Sequence, residues 1–333
     1  MTSKNTIRLT RRAITTGALG AIALSLAGPL HAQSNANGYP SRPVMLIVPT
    51  AAGGTTDIAA RMLGVPLGTA LGQTIVVDNK GGANGAIAAV AVKRAEPDGY
   101  TLLMQYSGYH VITPLVSKQP PQWQMSDLTP VANVLSAPQI VVIRADLPIK
   151  NMAELIAYAK ANPGKLNYSS TGVGTSSHLS GFMLTERIGA QATHIPYKGA
   201  DALNDLLTGR VQFMFATIPS VMAHIQAGKL RAIAVSSGKR SRSMPDVPTV
   251  AEKGFPGFEA GSWFGIFAPK GTPQAVITKV NQAVNEALPS LQAQMIREGA
   301  DPVGGSAEQF GKFTQKEYVK WKDVVRASGA SVD

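Results

Sequence analysis

Val44-Met45-Leu46-Ile47-Val48-Pro49-Thr50-Ala51-Ala52-Gly53-Gly54-Thr55-Thr56-Asp57 decides how the rest of the chain is read. An apolar run stops at a proline, a small-residue turn with paired glycines follows, and Thr55, Thr56 and Asp57 open a helix. That order is strand, turn and helix N-terminus. Bare backbone N–H groups and hydroxyls line such a turn, and the positive end of the helix dipole points at it. It therefore suits an anion such as a carboxylate. A comparable turn recurs at Tyr168 to His178. The two turns are expected to face each other across a cleft.

Working outward, strands and helices alternate. Val44 to Val48, Thr74 to Val77 and Tyr100 to Gln105 read as strands. Helices over Ile58 to Leu71 and Ala86 to Arg94 separate them. This β-α-β-α-β order predicts parallel strands with helices packed on them. Ligands of such sheets sit beyond the carboxyl ends of the strands, so the turns at 50–57, 81–85 and 107–110 share one rim. The Pro- and polar-rich stretch 117–130 reads as a loop, and Gln139 to Arg144 as an apolar strand. The pattern then restarts, with a helix from Asn151, a good N-cap, to Ala161. Strands over 166–170, 193–197, 211–216 and 230–235 alternate with helices over 179–188, 199–207 and 220–227. Ser262 to Ala268 is apolar and extended and returns the chain to the first unit. Thr272 reads as an N-cap with Pro273 at the first helical position. Val276, Val280, Val284 and Leu288 then mark one buried face, and Ala307, Phe310, Tyr318, Trp321 and Val325 mark another on the last helix.

The fold class expected is α/β with two lobes, each a mainly parallel sheet flanked by helices, joined by a hinge of two crossings. Lobe 1 is expected over 39–138 and 263–333, and lobe 2 over 139–262. The 333 residues are enough for two such lobes.

Residues 1–32 stand apart. Lys4, Arg8, Arg11 and Arg12 form a basic head, Ala13 to Leu30 is small and apolar, and Leu30-His31-Ala32 ends in a cleavage-like site. This reads as an export signal for the general secretory or, from Thr10-Arg11-Arg12, the twin-arginine route. The competing reading, a membrane anchor, is weakened by the short, Gly- and Thr-diluted run. Loss of this segment takes the formal charge from +11 to +7, because it carries those cations and no acids. A basic exported protein fits an anionic ligand, though the charge serves solubility equally well. There is no nucleic-acid motif, and Lys239, Arg240 and Arg242 read as a solvated loop. The absence of cysteine excludes disulfides, thiolate nucleophiles and Cys-based metal sites.

Enzyme signatures are weak. His110, His178, His194 and His224 show no zinc-hydrolase spacing, and there is neither a G-x-S-x-G elbow nor a Walker A motif. Gly172-Val173-Gly174-Thr175-Ser176-Ser177 begins like a dinucleotide loop but ends in Ser177. Ser176 and His178 are too close along a helix to form a nucleophile pair readily. No cofactor or metal is expected. The hydroxyls of Ser169, Ser170, Thr171, Thr175 and Ser176 serve either helix capping or ligand contact. Capping needs only one such residue, and Gly172 and Gly174 allow close backbone approach. Asp57 is read as a scaffold group, because an acid beside an anion repels it. Lys198 is a surface lysine or a carboxylate partner, and Thr217 lies just past a strand end. Phe182, Met183, Trp263 and Phe264 default to core packing.

The chain resembles the substrate-binding proteins of tripartite tricarboxylate transporters, the Bug family of periplasmic receptors. The matching segments run in order through the mature chain: Val48-Pro49 with Gly53-Gly54 and Asp57, Leu71-Gly72-Gln73, and Pro97-Asp98-Gly99-Tyr100-Thr101-Leu102. Gly172-Val173-Gly174 with Ser177-His178-Leu179, Pro196-Tyr197-Lys198-Gly199, Ala227-Gly228-Lys229-Leu230-Arg231 and Pro245-Asp246-Val247-Pro248-Thr249 follow. The resemblance implies a non-catalytic "Venus flytrap" receptor, monomeric and periplasmic, that holds a small organic carboxylate for a membrane transporter. It implies ligand contacts at Thr50, Ala51, Ala52, Gly53, Gly54, Thr55 and Thr56, and at Ser170, Thr171, Gly172, Gly174, Thr175, Ser176, Ser177 and His178. Ser107, Tyr197, Gly199, Ala200 and Thr217 support them. The family usually shows Pro at Ala52, often an aromatic at Thr50, and commonly Asp-Asn at Ala216-Thr217. Less charge and bulk there favours a larger or aromatic acid over an amino acid. The alternatives are a receptor that presents its closed form to a membrane sensor kinase and, third, an exported hydrolase.

Overall fold

The computed structural model describes residues 38–118, 122–197 and 201–332. The leader (1–32) and the turn residues Lys198, Gly199 and Ala200 lie outside the described residues.

β1 (Val44–Val48) is apolar and almost wholly buried, as a strand covered on both faces must be. Pro49 cannot donate to the ladder, and the chain turns into α1 (Thr55–Leu71), which closes at Gly72 in the left-handed conformation (φ 72°). β2 (Ile75–Asn79), α2 (Ala86–Lys93) and β3 (Thr101–Tyr106) follow. Where a simple turn is expected after β3, a π-helical turn over Gly108–Ile112 runs into α3 (Thr113–Val116).

β4 (Leu128–Arg144) is one long strand. It corrects two expectations: the loop read over 117–130 ends at Leu128, and the strand read over 139–144 is only the second part of β4. Pro130, Asn133, Ser136 and Pro138 hide the first part, since none favours a strand. The register shifts between Pro130 and Ala132 and again between Asn133 and Leu135, so the ladder is irregular there.

α4 (Met152–Ala161) starts as expected, with the Asn151 side chain accepting from Glu154 N–H at 3.0 Å. β5 (Leu166–Ser170), α5 (Ser176–Ile188), β6 (Ala192–Pro196), α6 (Asp201–Thr208), β7 (Phe213–Thr217), α7 (Ile218–Gln226) and β8 (Leu230–Val235) complete the middle of the chain. β9 (Gly261–Pro269), α8 (Gln274–Arg297), β10 (Asp301–Pro302) and α9 (Ala307–Ser328) end it. Thr272 does not cap α8: its hydroxyl donates to Pro269 O at 2.8 Å, and Pro273 holds the cap position. α9 has a full capping box, with Ser306 and Gln309 exchanging bonds.

The strand order is β2-β1-β3-β9-β4-β7-β5-β6, with β8 and β10 also paired to β4. The outer pairs β1–β2, β1–β3, β5–β6 and β5–β7 are parallel, whereas β9 and β4 pair antiparallel with their neighbours. The sheet is thus mixed, and it has two halves. β4 pairs with β9 from Leu128 to Pro138, then with β7 and β8 from Gln139 to Arg144.

Val276, Val280, Val284 and Leu288 of α8 are buried against β1 and α1, as their four-residue spacing requires. On the opposite face Trp263, Phe267, Phe310 and Trp321 join a core that continues through Val141, Ile143 and Phe213 into the second half. This layering sets the C-terminal ends of β1 and β3 opposite the start of α5.

Candidate functional site

The first turn is built around Asp57. Its carboxylate accepts from Gly53 N–H (2.8 Å), Asn79 Nδ2 (2.9 Å) and Arg61 Nε (2.9 Å). Burial pulls this carboxyl upward, but the bonds from Arg61, Gly53 and Asn79 outweigh it and hold it below the usual carboxylate range. The scaffold reading of Asp57 therefore describes its contacts. Asn79 also donates to Thr50 O at 2.9 Å, so the end of β2 braces the turn. Gly53 takes φ 85°, a conformation that needs glycine, and Ala51, Ala52 and Gly53 are exposed. α1 begins at Gly54 with no side-chain cap, which leaves its first N–H groups to whatever enters the turn. Thr50 Oγ1 is buried and makes no hydrogen bond within the protein.

The second turn spends most of its hydroxyls on itself. Thr175 caps α5, accepting from His178 N–H at 3.4 Å and donating to Gly172 O at 2.8 Å. Ser177 Oγ accepts from Thr171 N–H at 3.2 Å, and Ser170 Oγ accepts from Gly172 N–H at 3.2 Å. His178 Nδ1 accepts from Gly174 N–H at 3.1 Å. Gly172 (φ 141°) and Gly174 (φ 73°) are required by backbone shape, and a Cβ on Gly174 would stand 2.7 Å from Val116. Beneath the turn the rings of His178 and His194 stack at 3.7 Å, and Ser170 Oγ lies 2.6 Å from His194 Nε2. Burial pushes His178 down to about 4 and His194 down to about 3, the latter helped by His178, so both rings are neutral near pH 7.

Each turn reaches across the seam to a strand end of the other half of the sheet, the first to Thr217 of β7 and the second to Tyr106 of β3. Thr55 Oγ1 lies 3.3 Å from Thr217 Oγ1, which donates in turn to Ser220 Oγ at 3.2 Å. Tyr106 OH hydrogen-bonds Ser176 Oγ in the first turn of α5. Arg242 pairs with Asp301 at 2.6 Å and Arg240 with Glu252 at 3.0 Å, so both arginines of the basic stretch are paired across folded segments. Arg242–Asp301 also ties the second half of the sheet to the first.

Other candidates lie further back. Ser107 Oγ accepts from Trp263 N–H at 3.3 Å and fastens the start of β9. Tyr197 OH donates to Asp205 Oδ2 at 2.6 Å; burial and then Asp205 push its phenol up to about 12. Gly199 and Ala200 lie outside the described residues. Sequence reasoning missed Tyr106 and Asn79. Each is the last residue of a strand on the predicted rim, a position that could have singled them out. Among the described residues no grouping of histidine and acidic side chains could hold a metal ion.

A profile described as tripartite tricarboxylate transporter family receptor matches residues 59–330. The protein BugT of Bordetella pertussis is 39% identical over 303 residues, covering 90% of this chain and 93% of that protein. The solved structure of Rhodopseudomonas palustris MatC with bound malate aligns with TM-score 0.77 at 32% identity, covering 86% of this chain and 100% of that one. The R. palustris protein Rpa4515 with adipate aligns with TM-score 0.82 at 35% identity, covering 88% and 99%.

Proposed function

The chain belongs to the tripartite tricarboxylate transporter receptor family, and from that premise we propose that it captures a small organic carboxylate between two lobes and delivers it to the membrane subunits of such a transporter. The lobes run over 39–138 with 263–333 and over 139–262, a division supported by the change of β4 partners between Pro138 and Gln139. One observation carries the reading: two glycine-bearing turns, each at a helix N-terminus, belong to opposite halves of the sheet, and each bonds a strand end of the other half, Thr55 to Thr217 of β7 and Ser176 to Tyr106 of β3. Neither 50–56 nor 170–178 contains a lysine or arginine. Recognition therefore relies on backbone N–H groups and hydroxyls, and a ligand that touches both turns selects the closed form.

The relatives solved with adipate and malate support a dicarboxylate. The uncharged Ala216-Thr217 favours a dicarboxylate or aromatic acid over an amino acid. The basic head and apolar run of residues 1–32 support export to the periplasm. A receptor role without catalysis agrees with the hydroxyls being engaged in the turn itself. Calorimetric titration of the mature protein with C4–C6 aliphatic dicarboxylates, benzene dicarboxylates and amino acids tests this. Binding of a carboxylic acid with one-to-one stoichiometry is expected. Binding of amino acids alone, or of none of the set, overturns it.

A further inference from the structure

We propose that Tyr106 is a ligand-positioning residue: a neutral hydroxyl carried by the first half of the sheet, which is hydrogen-bonded to Ser176 and turns to donate to the ligand carboxylate once one is bound. The inference rests on the proposed carboxylate-binding function and adds a contact that the turns themselves do not supply.

The ring is held on several sides. Gly108 lies against it, and a Cβ there would stand 2.5 Å from Tyr106 Cε1 and 2.8 Å from the hydroxyl oxygen. Tyr109 meets it edge-on at 5.2 Å, and Phe264 flanks it at 5.5 Å. Only the hydroxyl end reaches across the seam, to Ser176 at the start of a 13-residue helix. Ser176 is itself buried, so the phenol meets α5 where its N–H groups and dipole would draw a carboxylate. Burial pushes the phenol above its ordinary value against the opposing pull of Ser176, so the group keeps its proton and remains a donor at neutral pH. With no cation in either turn, such a donor supplies a charge-assisted bond without paying the desolvation of a lysine. Only a rotation of the hydroxyl hydrogen is needed, from the bond shared with Ser176 Oγ to one donated to the carboxylate, with the ring fixed.

Tyr106→Phe removes the hydroxyl and keeps the ring packing. In calorimetry with the tightest-binding acid of the panel above, the variant is expected to raise Kd about 10- to 100-fold, the range for a hydrogen bond to a charged group. Equal affinity overturns the proposal. So does tighter binding, which would make the hydroxyl a competitor of the ligand. A second measurement needs no ligand. The chain has no cysteine, so Val65→Cys and Gln226→Cys, both at exposed positions, take spin labels alone. Without ligand, Tyr106→Phe is expected to lengthen or broaden the interlabel distance. An unchanged distribution overturns the Tyr106–Ser176 tie. If the wild type binds no acid of the panel, the carboxylate function fails, and the label distances still decide the tie.

Discussion

Asp57 sets the geometry of the first turn without offering itself to a ligand. Its carboxylate is 4% exposed and is bonded to a backbone N–H, an amide and a guanidinium that come from the turn, β2 and α1. Asp57→Ala strips these donors of a buried acceptor. A loss of roughly 1–3 kcal/mol is expected, the cost of leaving buried donors unpaired, read as a lower denaturant midpoint. A change under about 0.5 kcal/mol would show that solvent replaces the carboxylate freely. This role was half legible. The helix-start position and the repulsion between like charges argued against ligand contact, but Asn79 as a partner could not be read 22 residues away. The second turn was half legible for a similar reason. Its hydroxyls are visible in the sequence, whereas their mutual bonds, such as Thr175 to Gly172 and Ser177 to Thr171, depend on backbone angles that only the folded turn fixes.

At the level of elements, β4 and β9 are the members on which the two halves depend. Gly265 of β9 is the tight point between them and α9. A Cβ there would stand 2.2 Å from Phe310 Cζ and 2.9 Å from Ala132 O. Gly265→Ala is therefore expected to push Phe310 away from Trp263 and Phe267 and to cost about 1–3 kcal/mol, the range for overpacking a core. Thermal melting checks this, and an unchanged midpoint would mean that α9 shifts without penalty. Short apolar strands such as β1 and β7 were legible because burial on both faces forces an apolar run. The first part of β4 was not, because its prolines and polar residues are tolerated only by the irregular ladder with β9.

For the whole molecule, acid is the discriminating stress. Burial depresses His110 to about 3, and His178 and His194 lie at about 4 and about 3, against 6.5 for a free imidazole. His110 is wedged among Phe267, Trp123 and Trp263. These rings stay neutral in the folded chain while the unfolded chain takes up protons below about pH 6.5. Their stabilising contribution is complete above that pH and is lost as the pH falls toward 4, by up to about 1.4 kcal/mol per pH unit for each ring. Asp57, whose folded value is depressed, loses its share only at lower pH. Denaturant midpoints should thus fall between pH 7 and 5, and a flat profile across that window would contradict neutral burial of the three rings.

By itself the sequence determined the alternation of strands and helices, the two glycine-bearing helix starts, and the lack of cations in either turn. These follow from local causes: side-chain period, proline and glycine geometry, and capping chemistry. Only the tertiary structure decided that β4 runs unbroken through both halves, that His178 and His194 stack beneath the second turn, and that Tyr106 spans the seam to Ser176. Each of those depends on which distant segments are pressed together when the apolar faces are buried, and such pairing leaves no periodic mark along the chain.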